Sequence, residues 1–163
     1  MGVSGAGKST VGEALAHRLG WAFLEGDSLH PQANIAKMAR GHPLNDADRA
    51  PWLEAIGDWI DRQASAGGEG VVACSALKRV YRDELRRGRP QVRLIYLEGA
   101  IGLIGQRLRA RRHAYMPPSL LRSQFADLEP PTPDEHALTV DFDLSIPEQL
   151  NLIIGWLAEG EGA

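Results

Sequence analysis

The run MGVSGAGKST places Gly2, Gly7, Lys8 and Ser9 in the order GxxxxGKS. Glycines at that spacing let the backbone from Ser4 to Ser9 curl until consecutive N–H groups point at phosphate oxygens. A helix that starts directly afterwards aims the positive end of its dipole at the same place. Lys8 then reaches the β and γ phosphates of a nucleoside triphosphate, and the Ser9 hydroxyl is a ligand for Mg²⁺. The ATP contacts are therefore expected on Gly2, Val3, Ser4, Gly5, Ala6, Gly7, Lys8, Ser9 and Thr10. A dinucleotide-binding GxGxxG does not fit the same letters, because Ser9 and Thr10 follow Gly5 and Gly7 with no third glycine in register.

A phosphoryl group also needs an acceptor. Asp27 follows the apolar run Trp21–Leu24, at the carboxyl end of an expected buried strand, which is where ligands gather in an open α/β sheet. From there it could take the proton of an acceptor hydroxyl or hold Mg²⁺ through water; the neighbouring Glu25 reads as a solvated charge. A switch GTPase or motor ATPase would carry an aspartate at the end of an apolar strand, yet the run VVAC ends in Ser75. Lys37, Arg49, Lys78 and Arg82 recur at positions expected around the mouth, where such groups bind carboxylate or phosphate. Lys78 and Arg82 are four apart, so the spacing predicts one helical face and a shared ligand. Arg107 and Arg111 are likewise four apart and are assigned to ATP, on a lid at about 107–118. Arg109 and Arg112 read as solvated.

These residues need a frame. Val11, Leu15 and Leu19 with Ala14 make one apolar face of a helix that stops at Gly20. Strands are predicted at Trp21–Leu24, Val71–Cys74, Val92–Leu97 and Leu138–Phe142, alternating with helices at about 31–41, 51–66, 77–87 and 101–111. A short helix between Pro118 and Pro130 follows, its flanking prolines read as hinges or loop edges. Ser145, Pro147 and Glu148 form a capping pattern for a final helix to Leu157. The alternation means an α/β fold: a parallel sheet sandwiched by helices, residues 1–163 forming one domain. A phosphate-binding loop normally hangs from a central strand, and only Met1 precedes Gly2. The first central strand is therefore expected to be missing, leaving two neighbouring edges exposed and the loop without its anchor.

Composition narrows the partners. The chain has 163 residues, 44% hydrophobic and 24% charged, with no apolar run of membrane-spanning length. A net charge of −3 offers no general field for nucleic acid, which weighs against reading the 107–112 arginines that way. One cysteine, Cys74, cannot form an internal disulfide and fits a reducing cytoplasm as an inert core thiol. No secretory signal is visible. The Met1-Gly2 start does not make a myristoylation motif, because Ala6 stands where Ser or Thr is required. Trp52, Trp59 and Trp156 are read as core or dimer-interface packing.

Three stretches go further: EGDSLHPQANIAKMARGHPLNDADRAPWL (Glu25 to Leu53), CSALKRVYRDELR (Cys74 to Arg86) and SQFADLEPP (Ser123 to Pro131). Together with the glycine loop they resemble the gluconokinases, small kinases of the adenylate/shikimate-kinase-like P-loop group, over nearly the whole chain. That resemblance implies transfer of phosphate from ATP to D-gluconate, giving 6-phospho-D-gluconate, by a cytoplasmic homodimer. It implies Asp27 as the base, with His30, Arg49, Lys78 and Arg82 around the sugar acid. In the lid the relatives commonly carry Gly-His-Phe where this chain has His113-Ala114-Tyr115, so His113 is given no role. A shikimate-kinase-like acceptor and a nucleotide binder without catalysis are the alternatives.

Overall fold

A computed structural model describes residues 1–110 and 118–160, with side chains described outside 107–120. Helix α1 (Lys8–Leu19) springs from the glycine loop and closes at Gly20, whose φ of 70° suits the left-handed cap that glycine adopts without strain. Strand β1 (Ala22–Glu25) leads into a tight turn at Gly26–Leu29 that carries Asp27. Helix α2 (Gln32–Ala39) and the long α3 (Asp46–Ser65) follow, then β2 (Gly70–Ala73) and α4 (Arg79–Arg86). Strand β3 (Ile95–Glu98), helices α5 (Ile101–Ala110) and α6 (Pro118–Asp127), strand β4 (Leu138–Asp141) and helix α7 (Ile146–Glu159) complete the order.

Helix α3 begins five positions before the expected Pro51 start. Asn45 accepts from the Asp48 amide at 2.8 Å and Asp48 accepts from the Asn45 amide at 2.8 Å, a capping box inside what reads as a polar turn. Pro51 is carried within the helix, its ring omitting the hydrogen bond to Ala47. Helix α7 starts as expected, with the Ser145 amide held by Glu148 at 2.9 Å.

The sheet comes in two parallel halves. β1 pairs with β2, from Ala22 opposite Gly70 to Glu25 opposite Ala73; β3 pairs with β4, from Ile95 opposite Leu138 to Glu98 opposite Asp141. Among the described residues no strand lies between β2 and β3. Met1 and Gly2 stand there instead: the Met1 carbonyl accepts from the Leu97 amide at 3.0 Å, and the Gly2 amide donates to Ser75 O at 3.1 Å. The glycine loop is thus tied to both halves, where the sequence led us to expect no anchor. Gly2 is required there, since a Cβ would lie 2.8 Å from Leu97 O. One apolar cluster, including Val11, Leu15, Leu97, Ile104, Val140 and Ile153, joins α1, α5 and α7 to the β3–β4 half. A second, around Trp52, Ile56, Cys74, Tyr81 and Leu85, packs α3 and α4 on β2. Burial raises the Cys74 thiol's pKa above its ordinary value, as suits an inert core thiol.

Candidate active site

Gly5 and Gly7 have φ values of 85° and 89°, the left-handed region that lets the loop fold back over the start of α1. Two of its donors are engaged within the chain. The Ser4 amide donates to Gln124 Oε1 of α6 at 2.6 Å, and Lys8 Nζ donates to the Val3 carbonyl at 3.0 Å. Burial pulls the Lys8 ammonium below its ordinary pKa, with Asp27, Cys74 and Glu25 opposing. The Ser9 hydroxyl is hydrogen-bonded to the Glu25 carboxylate, so Glu25 has a partner at the loop and is not merely solvated.

Beside the loop, the turn after β1 presents Asp27. Two features fix it. Gly26 passes so close to β2 that a Cβ would lie 2.7 Å from Ala73 O and 2.9 Å from Cys74 Cβ. The Trp52 indole N–H, reaching across from α3, donates to Gly26 O at 2.8 Å. The Trp52 ring also stacks on His30, with centroids 4.5 Å apart and planes 14° from parallel. Trp52 is core packing, as expected, but it also clamps the backbone that carries Asp27. His30 Nε2 stands 3.8 Å from Asp27 Oδ1, while Nδ1 faces the Asn34 amide at 3.4 Å. Burial lowers the His30 pKa, which keeps the ring neutral at pH 7.

Ser4, Lys8, Asp27, His30 and Arg49 line one chamber of about 90 Å³. Pro43, Leu44 and Ser123 also line an adjoining open groove of about 590 Å³ that is walled by Asp46, Lys78 and Asp127. Arg49 NH1 donates to the Tyr81 hydroxyl at 2.8 Å, and NH2 meets Asp127 Oδ2 at 3.3 Å. Lys78 Nζ donates to Asp46 Oδ1 at 2.9 Å, which raises the Lys78 pKa and lowers that of Asp46. Lys37 pairs with Asp48 and serves the α3 cap.

Arg82 requires a correction. Its side chain is 1% exposed and grips Glu135, itself 1% exposed, through Nε at 2.5 Å and NH2 at 2.8 Å. NH1 donates to Leu77 O at 3.0 Å and Glu129 O at 2.9 Å. Buried in this way, the guanidinium does not reach the cleft. The facial argument fails because Lys78 is the extended cap of α4, with φ −90° and ψ 149°, and not a residue of its helical face. Arg82 instead fastens the segment after β2 to the Pro130–Pro133 stretch, which is therefore tied down and not a hinge. Arg107 and Arg111, with the lid at 107–118, lie outside the residues whose side chains are described. Tyr81, Asp46, Asp127 and Gln124 went unremarked in the sequence; all four lie in stretches quoted above for their resemblance.

An AAA domain family model matches residues 1–131. The chain is 51% identical over 140 residues to a gluconokinase of Gluconobacter oxydans, covering 86% of this chain and 79% of that protein. Among solved structures, a gluconokinase from Sinorhizobium meliloti superposes with a TM-score of 0.88 at 43% identity, covering 98% of this chain and 89% of the other. An unliganded sugar kinase from a Janibacter species gives 0.92, also at 43% identity, covering 97% and 91%.

Proposed function

The chain belongs to the gluconokinase family and phosphorylates gluconate with ATP, and from that premise we propose that the cleft runs from a phosphate end at Ser4 and Lys8, past Asp27, to a carboxylate end at Arg49 and Lys78. The observation that carries this reading is that the chamber holding Lys8, Asp27 and Arg49 and the groove holding Lys78 share Pro43, Leu44 and Ser123 in their walls. A polyhydroxy acid laid along the cleft presents its terminal hydroxyl to Asp27 and its carboxylate to the two cations, which gives transfer to the 6-hydroxyl. The loop amides and Lys8 hold the β and γ phosphates and neutralise the charge that spreads over the transferring group. Asp27 accepts the hydroxyl proton as the oxygen attacks phosphorus and the bond to the bridging oxygen of ADP breaks. His30 flanks the base, with Nε2 3.8 Å from Asp27 Oδ1.

The hydroxyl of Ser9 and the carboxylate of Glu25, hydrogen-bonded to each other at the end of β1, are hard-oxygen donors that suit Mg²⁺. Bound there with the nucleotide, Mg²⁺ would neutralise phosphate charge. The same reading includes the homodimer and the cytoplasmic location of the resemblance; sedimentation equilibrium checks the first. Among the described residues no helix is long and apolar enough to cross a membrane.

An ADP-release assay across gluconate, shikimate and nucleoside monophosphates tests the function. Turnover of gluconate that is lost in Lys8→Ala and Asp27→Asn is the expected result, and clear turnover of another acceptor without gluconate would overturn it. For the carboxylate end, Arg49→Ala and Lys78→Ala should raise KM for gluconate about tenfold while leaving KM for ATP within about twofold. Equal effects on both substrates would remove the two cations from the acceptor.

A further inference from the structure

We propose that Tyr81, buried beneath the groove, is a specificity-determining residue: its hydroxyl and ring bind Arg49 and Lys78 into one anion-receiving pair that selects an acid over an uncharged polyol of the same length. This rests on the placement of the acceptor carboxylate at those two cations.

Arg49, from α3, lines the chamber and Lys78, the cap of α4, lines the adjoining groove, and two like charges set beside one tyrosine repel each other unless something holds them. Tyr81 lies under both. Its ring centroid is 5.2 Å from Arg49 Cζ and 5.7 Å from Lys78 Nζ, so one ring attracts two cations at once. Its hydroxyl has a single proton and donates it to Asp46, which leaves the oxygen lone pairs free to accept from Arg49 NH1 at 2.8 Å. Asp46 in turn accepts from Lys78 Nζ at 2.9 Å. The chain of contacts Arg49, Tyr81, Asp46, Lys78 is therefore closed and directional.

Burial raises the pKa of the phenol above its ordinary value, which keeps that proton in place at neutral pH. Tyr81 is 4% exposed and lines neither chamber of the cleft, so it acts through the cations and not by touching substrate. The two flanking carboxylates differ in what they can yield. The Asp46 side chain is 64% exposed and the Asp127 side chain 30%. An incoming carboxylate thus reaches Lys78 as the exposed Asp46 swings aside, while Asp127, the less exposed, continues to hold Arg49.

Tyr81→Phe isolates the hydroxyl, since it keeps the ring, the packing against α3 and both cation contacts. The expected result is a rise of about tenfold in KM for gluconate, the loss of a hydrogen bond to a charged group. KM for ATP and kcat should stay within about twofold, and the inhibition constant of the uncharged six-carbon polyol should not change. A thermal midpoint close to the parent's checks that the fold is intact. A KM for gluconate within about twofold of the parent, or an equal weakening of polyol and gluconate, overturns the proposal. Arg49→Ala and Lys78→Ala run beside it locate any failure. If they raise KM for gluconate and Tyr81→Phe does not, Tyr81 alone is misassigned; if none of the three raises it, the carboxylate end lies elsewhere and the inference falls with it.

Discussion

At the proposed phosphate end the glycine loop, Gly2 to Thr10, is one unbroken run whose backbone direction is set by Gly5 and Gly7. At the acceptor end Asp27, His30, Arg49, Lys78, Tyr81 and Asp127 arrive from the turn after β1, from α3, from α4 and from α6, and each is aimed by a neighbouring side chain. The first design depends on local conformation and tolerates little change in sequence. The second depends on tertiary contacts, so its residues stay in place only while their partners do. Substitutions should therefore act on chemistry at one end and on substrate choice at the other.

The largest effects test the chemistry. Lys8→Ala removes a preorganised cation from the transferring phosphate and should lower kcat/KM by about 10²–10³. Asp27→Asn should lower kcat by about 10²–10⁴ without moving KM for ATP. Single-turnover ADP release measures both. If Lys8→Ala changed only KM for gluconate, the division of the cleft would be reversed.

Two arginines sharpen the comparison. Arg49 and Arg82 look alike in the sequence, each flanked by motif residues, yet one lines the cleft and the other is sealed against Glu135. Breaking a buried ion pair by removing one partner costs about 3–5 kcal/mol, so Arg82→Ala should lose stability in a urea titration while the molecules that remain folded keep their KM values. The pair also has a pH signature. Arg82 holds the Glu135 carboxyl below its ordinary value, the unfolded chain binds that proton more readily, and the stability from the pair is full above the ordinary glutamate range of about 4.3. It is lost as pH falls below that range. A urea midpoint that falls more steeply between about pH 4.5 and 3 in the parent than in Arg82→Met/Glu135→Leu is the expected result. Equal slopes would deny the pair its role.

These cases show what the residues revealed alone. The glycine loop, α1 with its Gly20 stop and the four strands were legible because each follows from neighbours a few positions apart. The α3 start was hidden because Asn45 and Asp48 serve a turn and a capping box equally well, and only the packing of Trp52 on β2 decides between them. Arg82 was misplaced because nothing local announces Glu135, which is 53 residues away. Trp52 was half read. Its burial was legible, and its hydrogen bond to Gly26 was not.

Gly26 gives an intermediate effect that links the two ends. Gly26→Ala puts a methyl 2.7 Å from the Ala73 carbonyl, a backbone atom that cannot swing aside. Overpacking of this kind costs about 1–3 kcal/mol, and it should push the Asp27 turn away from β2. The measured result should be a lower thermal midpoint together with a kcat loss greater than any change in KM for gluconate. A variant that loses stability but keeps kcat would show that Asp27 is positioned by Trp52 alone.

The smallest expected effect has the opposite sign. Gln124 belongs to α6, which also carries Asp127 and so touches both ends of the cleft. Its carbonyl oxygen accepts from the Ser4 amide at 2.6 Å, where a phosphate oxygen would otherwise be received, and Lys8 meanwhile turns inward to Val3 O. ATP must displace that amide before the loop can close on it. One neutral hydrogen bond contributes about 0.5–1.5 kcal/mol net, so Gln124→Ala should tighten ATP binding by about twofold to tenfold. Isothermal titration with a non-hydrolysable ATP analogue reads this directly, and Gln124→Glu, which places a negative charge against the loop amides, should weaken the same binding. If Gln124→Ala weakened ATP binding, the side chain would be a nucleotide ligand and not an occupant that yields to one. The backbone end of the cleft would then depend on a distant side chain as fully as the acceptor end does.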